Sequence, residues 1–279
     1  MLSRLLVNFY VLVHGRLKLP GAGWALRRLR SVVPGLRAYP FDVPGVGTAI
    51  IDFQDDAAYG LINFSLGELD NNAALFRFLE QVLKPGSVLW DVGSNIGFIC
   101  IYFADARHGL AAIHAFEPNP VALKPLQTLF KNHPKVKVHP IGLGATDAEL
   151  MMNVVPSGSL LSSLVRPVPN AKPLPVQIRR GDEYWKQHGV EPPDVIKIDV
   201  EGYEPQVLAG LSEVVSQFRP IIFFEHLFLS DTDIEQLRPP NYSIVYILDD
   251  GGLADHRSKA GPSHDAILLP EEKKVRLRG

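Results

Sequence analysis

The sequence predicts an α/β fold in which a mostly parallel sheet carries helices on both faces. Three observations lead there. From residue 73 onward, short apolar runs alternate with amphipathic stretches of helical period. The run "VLWDVGSNIGF" (88–98) closes a strand pattern with an acid and a turn bracketed by glycines. The run "HAFEPNP" (114–120) closes the next strand pattern with a second acid. Strands and helices that alternate over short connections build a parallel sheet whose crossover helices cover both faces.

Each element follows in order. Residues 73–84 have a helical apolar period that stops at Pro85-Gly86, since proline and glycine break a helix. Residues 88–90 read as a strand, 96–107 as a helix, 112–116 as a strand, 120–132 as a helix and 136–141 as a strand. Further on, 195–198 is a strand, 204–217 a helix, 221–224 a strand, and 242–248 and 266–269 are late strands. Residues 156–175 interrupt the alternation with five prolines and the stretch "SGSLLSS". They predict a loop over one end of the sheet, where α/β proteins bind ligands.

The chain of 279 residues, 46% hydrophobic and 21% charged, is long enough to bury a full core. Its one cysteine, Cys100, excludes an intrachain disulfide framework and fits a reducing cytoplasm. Cys100 follows the glycine turn inside an apolar run, so a buried helix position is expected.

Charge is uneven. Residues 1–41 hold Arg4, Arg16, Lys18, Arg27, Arg28, Arg30 and Arg37 and no acid, leaving 21 basic against 30 acidic residues in the remainder. An acidic main body argues against nucleic acid as the partner. Leu2, Leu5, Leu6, Phe9, Leu12 and Val13 repeat at helical spacing as one apolar stripe that ends at His14-Gly15-Arg16. That stretch is shorter than the ~20 residues needed to span a bilayer. A helix docked on the body or on a second copy is expected, with peripheral membrane contact through a basic face as the alternative. Pro-Gly pairs at 20–21, 34–35 and 44–45 segment the stretch that follows.

The glycine turn narrows the ligand. A dinucleotide fingerprint has three glycines spaced G-x-G-x-x-G. Here Asn95 takes the middle position between Gly93 and Gly97, and Asp91 stands two residues before Gly93. A carboxylate there repels a pyrophosphate but suits a cofactor carrying an amine and a sulfonium, as S-adenosylmethionine does. Glu117, at the end of the second strand, is placed to accept both hydroxyls of a ribose.

The strand 195–198 delivers Asp199 to the carboxyl edge, with Glu201 in the tight turn after it. The strand 221–224 delivers Glu225 and His226 to the same edge, so three carboxylates and an imidazole are expected together. A carboxylate is a weak base near neutral pH unless its pKa is raised, so His226 is the first choice to take the acceptor's proton and Asp199 the second. No metal is assigned, although Asp199, Glu201 and Glu225 offer a divalent cation as the alternative route. Glu204, directly before Pro205, is expected to serve the N-terminus of the next helix.

Taken together, "VLWDVGSNIGF", "HAFEPNP", "LLSSL" and "DVIKIDVEGYE" resemble the FkbM family of S-adenosylmethionine-dependent methyltransferases, over roughly residues 67–226. The resemblance implies a Rossmann-like class I methyltransferase domain over 67–279, preceded by a basic, helical N-terminal extension over 1–66. It also implies methylation of a hydroxyl on a sugar, glycoconjugate or natural product, with a small-molecule or glycan acceptor. On the family pattern Asp91, Gly93, Asn95 and Gly97 form the cofactor turn, Glu117, Pro118 and Asn119 lie on the ribose side, and Asp199 stands beside the transferring methyl. Ser94 stands where alanine is commoner, and Tyr203 where histidine is. The competing readings are a nicotinamide-dependent oxidoreductase on the same fold and a non-catalytic, membrane-associated binding protein.

Overall fold

The computed structural model describes residues 2–16, 22–65, 73–155, 162–248, 252–257 and 264–277. At the N-terminus α1 (Leu2–Tyr10) runs into a π-helical turn (Val11–Arg16), and α2 (Ala22–Leu29) follows. An antiparallel hairpin of β1 (Tyr39–Val43) and β2 (Gly47–Ile51) turns at Pro44-Gly45, where Gly45 takes φ +76°. Helices α3 (Asp56–Ser65) and α4 (Ala73–Val82) lead into the main sheet through β3 (Val88–Val92), α5 (Phe98–Ala104), β4 (Ala112–Phe116), α6 (Pro120–Phe130) and β5 (Val136–His139). Three strands then form a separate small sheet: β6 (Gly142–Gly144), β7 (Ala148–Val154) and β8 (Lys172–Arg180). After α7 (Gly181–His188) the chain returns as β9 (Val195–Ile198), α8 (Glu204–Gly210), α9 (Ser212–Phe218), β10 (Ile221–Glu225) and α10 (Asp231–Leu237). It closes with β11 (Tyr242–Ile247), β12 (Leu253–Ala254) and β13 (Asp265–Pro270).

The main sheet has eight strands in the order β12-β11-β13-β10-β9-β3-β4-β5. Strands β5, β4, β3, β9 and β10 are parallel, and β13 joins β10 antiparallel. The order reverses between β3 and β9, which opens a crevice at the carboxyl ends of the strands.

Successive side chains of a strand point to opposite faces, and here they sort into two cores. Leu89, Ile113, Ala115, Val195, Ile221, Phe223 and Ile267 join the core that includes α4, α5 and α6. Trp90, Val92, Phe116, Ile196, Ile198, Ile222 and Phe224 join the core of α8, α9 and α10. The hairpin and the N-terminal helices share the first of these cores through Val7, Tyr10, Leu26, Val43 and Ile51. The α/β architecture expected from the sequence is therefore present.

Several elements differ from expectation. The helix expected over 204–217 is two, α8 and α9, broken at Leu211. Part of the loop expected over 156–175 is strand: β8 begins at Lys172 and pairs antiparallel with β7. Pro173 and Pro175 lie in the part of β8, the central strand of this sheet, that β6 leaves open on one side by pairing only at 178–180, and proline is tolerated there. Residues 156–161 lie outside the described residues.

The N-terminal stripe also differs. The face of α1 that docks is Val7 and Tyr10, with Leu6 half-buried, while Leu2, Leu5 and Phe9 point outward. Among the described residues, no helix is long and apolar enough to cross a membrane.

Candidate active site

The alternation that sorts the cores also aims the polar residues. Leu89 faces the α4–α6 core, so Asp91 turns the same way. Lys197 follows Val195, Glu225 follows Phe223, Glu117 follows Ala115, and Asp265 precedes Ile267. All five reach the carboxyl edge of the parallel strands and line one cavity of about 370 Å³, together with Gly93, Asn95, Pro118, Asn119, Asp199 and Glu201. A volume near this suits a small organic ligand.

At one end of the cavity the walls are a turn and a carboxylate. Gly93 takes φ +81°, and a Cβ there would overlap the Asp199 carbonyl oxygen, so the turn passes against β9 only as glycine. The Gly93 and Ser94 amides donate to the Phe116 carbonyl at 3.0 and 3.2 Å, tying β3 to the end of β4. Glu117 is buried, and each carboxylate oxygen accepts one backbone bond: Oε1 from the Asn119 amide and Oε2 from the Asn95 amide, both at 2.7 Å. Burial raises its pKa to about 7 against the pull of those two bonds. Asn119 caps α6 by accepting from the Val121 amide, and its Nδ2 donates to Ser162 Oγ. Asp91 is buried and accepts a bond from the Cys100 thiol at 3.1 Å, and burial lifts its pKa to about 6. Cys100 is thus the buried helix residue expected.

Gly97 departs from its expected role. It does not line the cavity; it precedes α5 at φ +89°, where a Cβ would lie 2.6 Å from Leu126 Cδ1. Its lack of a side chain serves helix packing rather than the cavity.

At the other end three carboxylates converge. One oxygen from each of Asp199, Glu201 and Glu225 lies within 4.8 Å of the others. Glu201 takes left-handed backbone at φ +56° although it is not glycine, a strain that collects at functional positions. Arg166 pairs with its carboxylate, yet burial and the Asp199 charge raise its pKa to about 7. Glu225 Oε2 is buried without a hydrogen-bond partner among the described residues, and burial with the neighbouring Asp199 charge lifts Glu225 to about 9. Ser163 Oγ donates to the Glu201 carbonyl at 3.0 Å, so the serine pair 162–163 joins the two ends of the cavity. Glu204 is buried at the start of α8 and has a structural role, but its carboxylate accepts from the Val200 and Gly202 amides and so ties down the turn before α8 rather than the helix's first turn.

His226 is not part of this convergence. It comes one residue after Glu225 and therefore turns to the opposite face, where its ring packs edge-on against Tyr246, 5.4 Å between centroids. It does not line the cavity. Burial and the Arg257 charge push its pKa down to about 4. His264, from the segment leading into β13, lines the cavity instead.

Lys197 and Asp265 were not singled out from the sequence. The Lys197 ammonium is buried and sits 3.3 Å from Asp199 Oδ2 and 3.4 Å from Asp265 Oδ1. Burial alone would lower its pKa, but Asp199, Asp265, Glu225 and Asp91 outweigh burial and raise it. A lysine inside the apolar run "VIKI" was the available signal. Asp265 gave none, because only the antiparallel register Glu225↔Asp265 brings it to the edge.

Lys197→Met is expected to lose about 3–5 kcal/mol of folding stability near pH 8, because removing one partner leaves buried charges unpaired. The loss should shrink toward pH 5. The raised pKa values of Asp91, at about 6, and of Asp265 mean that these two carboxylates take up protons more readily as pH falls and then no longer need a cation, whereas Glu225, at about 9, is already largely protonated at pH 8. Urea unfolding at the two pH values measures the difference. An equal loss at both would contradict the pairing.

The methyltransferase FkbM domain matches residues 91–244, more than half of the chain. The chain is 28% identical over 171 residues to the hexuronic acid methyltransferase AglP of Haloferax volcanii, covering 61% of this chain and 69% of AglP. It is 26% identical to the 31-O-demethyl-FK506 methyltransferase FkbM of Streptomyces tacrolimicus, covering 47% of this chain and 62% of that one. It is also 26% identical to the 2-O-methyltransferase NoeI of Sinorhizobium fredii, covering 62% of this chain and 75% of that one. The match spans β3 to β11, the stretch that carries the turn, both acid-tipped strands and the carboxylate cluster. The chain belongs to the FkbM family of methyltransferases.

Proposed function

We propose that the cavity binds S-adenosylmethionine and that the chain methylates a hydroxyl of a sugar or a natural product. The observation that carries this reading is Glu117. Its carboxylate is fixed by two backbone amides and opens onto the cavity beside a glycine turn, with capacity left for the two hydroxyls of a ribose. Phe98, Ile99, Leu143, Met152 and Leu164 supply apolar walls for a flat base. Asp91 supplies a carboxylate for an amine. Among the described residues the cation that lines the cavity, Lys197, is paired with Asp199 and Asp265, and the turn itself is preceded by a carboxylate, which disfavours a pyrophosphate there. The relatives act on a hexuronic acid, on 31-O-demethyl-FK506 and at a 2-O position, and this supports an oxygen acceptor here.

Bound there, S-adenosylmethionine supplies a methyl group activated by its sulfonium. The chain's own part is alignment and proton removal. Alignment of reacting atoms is worth about 7–11 kcal/mol in favourable cases. A base works best with a pKa near the working pH. Glu201, raised to about 7, meets that condition, and His226, lowered to about 4 and turned away, does not. We therefore assign the acceptor's proton to Glu201 and orientation of the acceptor hydroxyl to Asp199 and Glu225. The all-oxygen trio also has the chemistry of a site for a hard divalent cation. With Glu225 protonated at about 9, Arg166 and Lys197 face the two remaining carboxylates, Glu201 and Asp199, and the assignment requires no metal.

Replacing Glu117 with alanine is expected to weaken S-adenosylhomocysteine binding at least about tenfold, as an ionised acceptor for two hydroxyls is lost. Wild-type affinity should fall as pH drops below about 7, where Glu117 protonates, and the variant should lose that dependence. Calorimetry across pH 5.5–8 reads both. An unchanged affinity would remove Glu117 from the site.

Turnover is tested by screening glycosides and hydroxylated natural products for S-adenosylhomocysteine release. Asp199→Asn and Glu201→Gln are each expected to lower kcat at least about a hundredfold while keeping cofactor affinity. The wild-type rate should rise with pH through about 7 as Glu201 loses its proton, and Glu201→Gln should remove that limb. A chelator should leave the wild-type rate unchanged. Full activity in both variants would end the assignment.

A further inference from the structure

The face that α1 turns away from the body is apolar. Leu2, Leu5 and Phe9 are 57%, 58% and 62% exposed, and Leu12 in the turn that follows is 46% exposed. At 100° per residue the three side chains of α1 fall in a sector of roughly 60°, opposite the buried Val7 and Tyr10. On the neighbouring α2, Trp24 is 63% exposed with the Arg28 guanidinium 4.5 Å above its ring. Arg4, Arg27, Arg28 and Arg37 are exposed, and residues 1–41 contain no acid. The helices are anchored behind this face. Arg30 pairs with Asp52, and the Arg27 guanidinium lies 5.5 Å over the Tyr59 ring. Large exposed apolar side chains gathered on one helix face, with an exposed tryptophan on the neighbouring helix, mark an interaction site.

We propose that this face docks on an anionic lipid bilayer, with α1 and α2 lying in the interface. Apolar side chains on one face, arginines around them and an arginine-backed tryptophan at the rim are the composition of a helix that lies in the headgroup layer. Charge complementarity separates this occupant from a second copy of the chain. Two such faces laid together would set arginines against arginines with no acid from either segment, whereas anionic headgroups neutralise them. The sequence pointed to a basic face as the possible contact; the structure makes the contact apolar at its centre and basic at its edge.

The test is sedimentation of the full chain with vesicles of phosphatidylcholine alone and of phosphatidylcholine mixed with phosphatidylglycerol. The chain should sediment with the anionic vesicles at low salt, be partly released by high salt through screening, and stay in solution with the neutral ones. The double variant Leu5→Glu, Phe9→Glu changes only exposed positions. It should keep the wild-type melting temperature and partition at least about tenfold less. Absence of binding to anionic vesicles at low salt, or equal binding by the variant, would overturn the proposal. So would sedimentation velocity showing a lipid-independent dimer that the same variant dissociates, which would assign the face to a second copy.

Discussion

The cavity depends on one buried cation. Asp91, Glu225 and Asp265 turn into the same low-dielectric space at the strand ends, with Asp199 at its mouth, and four carboxylates so close repel one another. The Lys197 ammonium, 3.3 Å from Asp199 and 3.4 Å from Asp265, makes the arrangement tolerable. Strand alternation places it there: Lys197 pairs in register with Asp91 on one side and with Phe223, two residues before Glu225, on the other. One lysine therefore reaches the acids of four strands. Its charge also shapes their chemistry, since it opposes the upward push that burial gives to Asp91, Glu225 and Asp265.

Around that cation the cavity divides by task. The end near β4 is rigid: Glu117 is held by two amides, Gly93 lies against the Asp199 carbonyl, and Asn119 is fixed by its cap and by Ser162. The end near β10 holds Glu201, whose protonation is balanced near neutrality at about 7, beside Glu225, which burial keeps protonated up to about 9. A rigid end suits recognition and a titrating end suits proton transfer. Ser162 and Ser163, adjacent in sequence, connect the two, which gives the "LLSSL" stretch a physical role that its composition alone does not announce.

Much of this was legible in the chain because strand and helix periods are local signals. Strands β3, β4, β9 and β10 stand out as apolar runs tipped by acids, and their tips line the cavity. The small β6–β8 sheet was hidden, because its prolines read as a loop until the edge geometry of β8 is known. Glycine spacing could not separate Gly93, which meets β9 beside the cavity, from Gly97, which meets Leu126 in helix packing. His226 was placed in the site by proximity to a strand end, yet counting alternation from Phe223 assigns it to the far face. Asp265 and His264 come from an antiparallel strand whose register no local pattern encodes. In α1 the apolar stripe was visible, but which face it presents depends on how α2 and α3, through Tyr59 and Asn63, cover the other.

What the cavity holds decides the function of the chain. The direct measurement is a thermal-shift titration of the intact chain with S-adenosylhomocysteine and, in parallel, with NAD. A ligand that binds only the folded state raises the melting temperature by mass action, by about 2.7 kcal/mol of stability at a hundredfold excess over Kd. S-adenosylhomocysteine is expected to raise it in a saturable way and NAD to leave it unchanged. A shift with NAD, or none with S-adenosylhomocysteine, would contradict the assignment of the cavity.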